Sequence, residues 1–329
     1  MRESLQNRCE NFVENRNRIQ KNFVWESAYL YPVCAAIFME KGRLVEEETL
    51  RHCRDVLKEE TSLFSQFRST VRLVMISQMA VDGAPESKLQ RAMQVYDRLK
   101  QHFFASQYLP VASMTIAEMV SPGQYDGLAA RTRRIYDGMK KEHPFLTSGE
   151  DCIFAALQAL SARPEEELVS ETEACYRILK GRFFSSNAVQ SLSHVLALLE
   201  GTADEKCGRV MELFDILKEK GYRYGTEYEL ATLGVLAGIP EELSTIAEEL
   251  IAVDQFLSGQ KGYGFFGLGK RQRLMHAGMI VAADHIGQSE PSLFQTTALG
   301  GTISLIVAQQ AALCAAIAAA NAASSAATT

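Results

Sequence analysis

Apolar residues recur at helical spacing through most of the chain. In the stretch 210–217 they stand at i, i+3, i+4 and i+7, which places them on one face of an α-helix. The stretch 192–199 has the same spacing, and Gly201 follows it as a helix stop. Sustained alternation of apolar and polar residues is not found. The pattern therefore predicts an all-α protein.

The helical pattern repeats at intervals of 40, 40, 38 and 39 residues, measured between the corresponding positions Tyr96, Tyr136, Tyr176, Phe214 and Val253. Further copies precede them, so the sequence predicts about seven units. In each unit two helices flank a short loop in which aromatic residues precede Ser or Thr, as in HFFASQ and RFFSSN. Stacked helix hairpins of this kind form an α-solenoid or, if the superhelix closes on itself, an α/α toroid.

One unbroken period predicts a single helical-repeat domain over residues 1–285. We expect a linker over residues 286–300, followed by an alanine-rich helix and a frayed end over residues 301–329. Bulky aliphatic residues recur in this last segment, so its helix needs a partner surface. The alternatives are docking on the repeat domain, a homo-oligomer formed through this helix, and a membrane anchor. Since alanine contributes little to insertion, a membrane is not the expected partner.

Composition narrows the function classes. The net charge of −6 at pH 7 does not favour nucleic-acid binding. Seven single cysteines without a CxxC pair argue against a disulfide framework and against a structural zinc site. The charged start of the chain lacks the apolar run of a signal peptide, so we expect a cytoplasmic protein. No spacing typical of metal ligands or of a cofactor site is present, and we predict neither.

The segment GYGFFGLGKRQR, residues 262–273, matches G-x-G-x-x-G and most of a phosphate-binding P-loop. A helix is predicted before it instead of the required strand, and Arg271 replaces the P-loop Ser or Thr, so neither motif applies. Freed backbone amides beside cations at a helix start still suggest an anion site. The alternative is that glycine permits a tight crossing. The candidate anion-binding residues are Gly264, Gly267, Gly269, Lys270 and Arg271.

The loops inside the helix hairpins are the candidate ligand-binding edge, because stacking brings them to one side. Aromatic faces with carboxylates, amides and cations suit a polar ligand or a sugar. Alternatively, Ser106, Thr147, Ser186 and Thr226 cap helices, and Phe103, Phe104, Phe183 and Phe184 staple neighbouring hairpins. The candidates are Trp25, Glu26, Arg68, Ser106, Glu150, Asp151, Ser186, Asn187, Tyr224 and Glu227.

Two functions remain open. The favoured one is a binding or scaffolding protein that uses the loop edge or a concave face to bind a protein, a peptide or a small anionic ligand. The other is an α/α-toroid enzyme acting on a carbohydrate-like or anionic metabolite, with carboxylates such as Glu26, Glu150 and Asp151 as general acid and base. His194 and His276 lie within apolar helices and are interpreted as core residues whose hydrogen bonds are satisfied.

Several longer segments resemble a bacterial family catalogued as domain of unknown function 4003. They are EHPFLTSGED, FFSSNAVQSLSHVLAL, GTEYELATLGVLAG, QKGYGFFGLGKRQRLMHA and the alanine-rich AQQAA tail. The resemblance runs over most of the chain and supports a single intact unit. It implies no activity, cofactor or catalytic residue.

Overall fold

The computed structural model describes residues 1–224, 229–264 and 267–288. Within these ranges the chain forms fourteen α-helices, two short 3-10 turns and no β-strand, which confirms the all-α prediction. The helices are α1 (Glu3–Asn22), α2 (Leu30–Glu40), α3 (Glu47–Glu60), α4 (Arg72–Ala80), α5 (Pro85–Leu99), α6 (Tyr108–Met119), α7 (Tyr125–Glu142), α8 (Asp151–Leu160), α9 (Glu165–Leu179), α10 (Ser186–Leu196), α11 (Ala203–Glu219), α12 (Glu229–Ala237), α13 (Leu243–Ser258) and α14 (Lys270–Gln288).

Odd-numbered and even-numbered helices differ in how they are buried. In α2 every residue from Leu30 to Met39 is buried, and α6 is buried from Leu109 to Ala117. A helix that is apolar all round belongs in an interior. The odd-numbered helices are amphipathic, and α3 buries only Leu50, Cys53, Val56 and Leu57. The even-numbered helices therefore form the inside of the molecule and the odd-numbered helices its outside.

Each odd-numbered helix packs against the even-numbered helix that follows it. Even-numbered helices also contact one another in chain order, as do the odd-numbered helices from α3 to α13. Short connections make each pair antiparallel. The connections inside the seven pairs therefore lie on one side of the molecule, which we call the loop edge. The connections between pairs lie on the other side, which we call the return edge.

The first and last helix pairs are in contact: α14 packs against α1 and α2, and α13 reaches α1. Charged side chains hold this seam together. The Asp284 carboxylate, which has no exposed surface, lies 3.1 Å from Arg2 Nη2 and 3.1 Å from Arg8 Nε. Glu249 accepts hydrogen bonds from Arg2 and lies 2.6 Å from His285 Nε2. Burial alone would raise the pKa of Glu249, but the hydrogen bonds from His285 and Arg2 outweigh it and lower this pKa to about 2.

The periodic aromatic positions have a structural reason. A ring in the loop of one helix pair packs against an aromatic residue at one of the corresponding positions, which lies on the outer helix of the next pair. The pairs are Phe67 with Tyr96, Phe103 with Tyr136, His143 with Tyr176, and Phe183 with Phe214, with ring centroids 4.2 to 5.3 Å apart. The stapling role is therefore correct for Phe103 and Phe183. It is wrong for Phe104 and Phe184, whose side chains are fully exposed.

Two helix starts differ from the expected capping pattern. Thr147 does not cap α8: the Ser148 amide donates to Asp151 Oδ2 at 2.7 Å, and Thr147 is buried, with its hydroxyl accepting from Gln190. In α10 the capping side chain is that of Ser185, one residue before the expected Ser186. A one-residue shift of this kind depends on how the loop packs.

The C-terminal predictions fall mostly outside the described residues. Helix α14 continues to Gln288, so the first three residues of the expected linker over 286–300 are helical. The rest of that linker and the alanine-rich segment 301–329 are not described. In the ranges that are described, no helix combines the length and apolar character needed to cross a bilayer.

Candidate functional site

Three of the predicted loop-edge residues, Trp25, Glu26 and Arg68, come together around one pocket between the first and second helix pairs. The cavity has a volume of about 370 Å³. It lies where the first loop meets α3 and the start of α4. The remaining lining residues are Asn22, Phe23, Val24, Arg54, Leu57, Lys58 and Arg72.

The charge of this pocket is strongly unbalanced. Arg54, Lys58, Arg68 and Arg72 face Glu26 as the only carboxylate of the lining. Arg72 Nε donates to Glu26 Oε1 at 3.0 Å, so this pair neutralises itself. Arg54, Lys58 and Arg68 are then offset by one further carboxylate, Asp55, so these residues keep an excess of two positive charges, which attracts an anion.

Asp55 partly offsets the remaining pocket cations. Arg54 Nε donates to this carboxylate at 3.0 Å, and Lys58 Nζ lies 3.8 Å from it, although Asp55 is outside the lining. Arg68 Nη1 donates to the Thr61 carbonyl oxygen at 3.4 Å. Trp25 is 96% exposed and offers a free aromatic face at the mouth. A planar group of a ligand can stack on such a face.

A second polar group lies at the start of α8. Burial and the neighbouring charge of Asp151 raise the pKa of Glu150 to about 7, although a hydrogen bond from Tyr108 opposes the rise. A carboxyl group with this pKa exchanges its proton near neutral pH. It can therefore act as a general acid or as a general base.

Asp151 connects this group to α10. Its Oδ1 atom lies 3.4 Å from His194 Nε2, and both residues are almost completely buried. Within the described ranges neither ring nitrogen of His194 has a hydrogen-bond partner, which is uncommon for a buried polar group. The core interpretation holds for His276, whose Nδ1 is 2.9 Å from the Tyr263 hydroxyl oxygen. It does not account for His194.

The remaining loop-edge candidates are separate from both groups. Ser106 is half-buried, and Ser186 and Asn187 are exposed at the start of α10. Tyr224 was expected on the rim, but the structure corrects this: its side chain is completely buried because its ring packs inward, with its hydroxyl group close to Gly278. Glu227 lies outside the described residues.

Backbone amides of the glycine segment form hydrogen bonds within the segment itself. Gly264 and Gly267 donate backbone hydrogen bonds of 3.2 and 3.1 Å to carbonyl groups within the loop. Gly262 and Gly264 have φ values of +94° and +111°, and a side chain on Gly267 would collide with the Gly262 carbonyl. These features favour the tight-crossing alternative. The predicted anion site then depends on Gly269, Lys270 and Arg271.

Lys270 is already placed against an aromatic ring, because its Nζ lies 4.6 Å from the centroid of Tyr222. Arg273, one turn along α14, pairs with Asp254 at 2.7 Å. These basic side chains therefore do not converge on a common point as those of the first pocket do.

Sequence reasoning missed five residues of these two groups: Arg54, Lys58, Arg72, Tyr108 and His194. A usable signal existed for Arg54 and Lys58, which are four residues apart at the end of an amphipathic helix and so share one face. Arg72 and Tyr108 begin inner helices that the sequence did not distinguish from outer ones.

Comparison with known proteins gives one match. A family model described as protein of unknown function (DUF4003) matches residues 15–311. No curated protein and no solved structure matches the chain.

Proposed function

The chain belongs to the DUF4003 family, and we propose that it is a binding protein for a small anionic ligand, which it holds at the loop edge. The site is the pocket formed by Trp25, Arg54, Lys58 and Arg68. Of the three partners that the sequence leaves open, a protein, a peptide and a small anionic ligand, the proposal selects the last. It rests on the chain's own geometry, because the family description supplies no activity.

The helix pairs form a closed α/α toroid in this proposal, and not an open solenoid. Support comes from the packing of α14 against α1 and α2 and from the ion pairs of the seam. Closure leaves no open concave surface, and apolar side chains of the inner helices fill the middle. A ligand then has to bind at an edge.

The observation that carries the proposal is the excess of cationic side chains around one pocket. Four basic residues and one carboxylate line about 370 Å³, which is within the size range of small-molecule sites. Arginine suits planar oxyanions because it offers several donors in a fixed fork. Since Trp25 and Phe23 flank these cations, an anion that carries a flat apolar group would fit best.

Inorganic phosphate and citrate, added at constant ionic strength, should raise the melting temperature of the protein. A ligand at a hundred times its dissociation constant stabilises by about 2.7 kcal/mol. The double variant Arg54→Ala/Arg68→Ala should lose this gain, because it removes two of the pocket cations. Quenching of Trp25 fluorescence gives a second readout, since Trp25 is the chain's single tryptophan.

Arg51→Ala is the matched control. Arg51 lies on α3 three residues before Arg54, but it is exposed and pairs with Glu47. It should leave the response to phosphate and citrate unchanged. A wild-type protein that neither anion stabilises, or an Arg54→Ala/Arg68→Ala variant that keeps the full gain, would refute the pocket.

Acid–base catalysis is the second candidate function, favoured by the pKa of about 7 for Glu150. Asp151 and His194, whose ring nitrogens have no hydrogen-bond partner among the described residues, could relay a proton to this site. The corresponding protein is a toroid enzyme acting on a carbohydrate-like or anionic metabolite. Its first requirement is that Glu150 keeps its proton up to near-neutral pH.

A further inference from the structure

Five successive loops of the loop edge each hold one aromatic ring in solvent. The side chains are between 92% and 105% exposed, so they touch almost nothing of their own chain. Single exposed apolar residues are ordinary on protein surfaces, but the same loop position is exposed here in five consecutive helix pairs. We call these residues the aromatic crown: Trp25, Phe64, Phe104, Phe145 and Phe184.

The loops that carry the exposed rings of the crown also pack other aromatic side chains against the protein. Phe103 packs against Tyr136, and Phe183 against Phe214, while the next residue in each loop points outward. Each of these loops therefore packs one ring against the next helix pair and leaves a second ring exposed to solvent. Val24 and Leu63, which precede Trp25 and Phe64, add further apolar surface at 63% and 69% exposure.

Basic side chains accompany the crown. Every odd-numbered helix ends at the loop edge with an exposed lysine at or near its last turn. At least one of them is close to the crown, since Lys58 and Trp25 line the same pocket. The lysines, one from each helix pair, are Lys21, Lys58, Lys100, Lys141, Lys180, Lys220 and Lys261.

The return edge has the opposite character, because every odd-numbered helix starts there with an exposed acidic residue. The helix dipole favours acidic residues at helix starts and basic residues at helix ends. Exposed carboxylates, such as Glu60, Glu142 and Glu219, also stand beside the lysines at the loop edge, so the lysines supply local positive charge within a protein of net charge −6. The acidic residues at the helix starts, one from each helix, are Glu3, Glu47, Glu86, Asp126, Glu166, Asp204 and Glu242.

We infer that the aromatic crown docks the loop edge onto the surface of a lipid bilayer that contains anionic lipids. Aromatic side chains are favoured at the boundary between headgroups and acyl chains, where rings from separate loops can insert independently. Lysines near the surface are attracted to anionic headgroups, and the acidic return edge faces water.

A protein partner fits the crown less well. Protein interfaces concentrate their anchor residues in one packed, desolvated patch. The crown rings stand on separate loops and are fully exposed. This docking is peripheral to the bilayer, whereas an anchor formed by the alanine-rich segment would have to cross it. The docking surface shares Trp25 and Lys58 with the anionic-ligand pocket, but Phe64, Phe104, Phe145 and Phe184 are not part of the lining of that pocket.

Trp25 reports directly on this contact, because it belongs to the crown and is the chain's single tryptophan. Vesicles of mixed phosphatidylcholine and phosphatidylglycerol should sediment with the full-length protein and shift its emission to shorter wavelength. Pure phosphatidylcholine vesicles should bind more weakly, and added salt should weaken binding to the mixed vesicles.

The decisive variant is Phe64→Ser/Phe104→Ser/Phe145→Ser/Phe184→Ser, which keeps Trp25 as reporter. Because the replaced rings are exposed, the melting temperature should be unchanged. Partitioning to mixed vesicles should fall at least about tenfold, since burial of one such ring accounts for roughly that factor. Leu44→Ser is the matched control, because Leu44 is an exposed apolar residue on the return edge.

Four outcomes would overturn the inference. They are absence of wild-type binding to mixed vesicles, equal binding to pure phosphatidylcholine, full binding by the quadruple variant, and an oligomer in light scattering that the quadruple variant abolishes. The last result would assign the crown to contact between protein chains. Arg54→Ala/Arg68→Ala should still bind mixed vesicles, so failure of the anionic-ligand pocket and failure of membrane docking are distinguishable.

Discussion

Replacing Asp284 with alanine should lower the free energy of unfolding by about 2 kcal/mol, because it removes the buried carboxylate that pairs with the partly exposed Arg2 and Arg8. Asp284 is completely buried between Arg2 and Arg8, and Ser4 Oγ donates to it at 3.2 Å. These contacts join α14 to the N-terminal end of α1. Urea-induced unfolding of the wild type and the variant measures the loss.

The matched control is Glu165→Ala, which breaks the ion pair between Glu165 and Arg134 in the middle of the chain. Arg134 is exposed, so this change should cost less than about 1 kcal/mol. If the helix pairs form a closed ring, hydrogen exchange in Asp284→Ala should accelerate in both α1 and α14. A loss below about 1 kcal/mol, or exchange that accelerates in only one of the two helices, would contradict a closed seam.

The protein should lose stability as the pH rises from about 4.5 to 7, and Glu150→Gln should lack this loss. Burial and the charge of Asp151 raise the pKa of Glu150 from 4.5 to about 7. Between these values the folded state keeps a proton that the unfolded state has released, so rising pH favours unfolding. Above about pH 7 the variant should be more stable than the wild type by up to about 3 kcal/mol.

Urea unfolding of both proteins across this pH range gives the comparison, and the difference between them isolates Glu150 from other titrating groups. Tyr108→Phe provides a second check. The Tyr108 hydroxyl donates to the Glu150 carboxylate and opposes the rise of its pKa, so its removal should shift the titration to higher pH. Parallel profiles for the wild type and Glu150→Gln would contradict a raised pKa and remove the basis for acid–base catalysis.

Only part of the candidate site could be predicted from the sequence. Trp25, Glu26 and Arg68 were singled out because they lie in loops with aromatic residues, and they do line one pocket. Arg72 was missed, because no local pattern links it to Glu26, forty-six residues earlier. Tyr224 was misplaced, because the aromatic loop pattern does not distinguish a ring that packs inward from one that faces solvent.

The sequence by itself determined the helices and the spacing of about forty residues between corresponding elements. Both are recorded locally, because apolar residues recur at a period of 3.6 residues in outer helices such as α3 and fill inner helices such as α2. Only the tertiary structure decided that Phe103 packs against Tyr136 while Phe104 is exposed, that the carboxylate of Glu150 lies beside Tyr108, and that Asp284 meets Arg8. Each of these outcomes depends on the orientation of a side chain relative to residues far away in the chain, which a local period cannot encode.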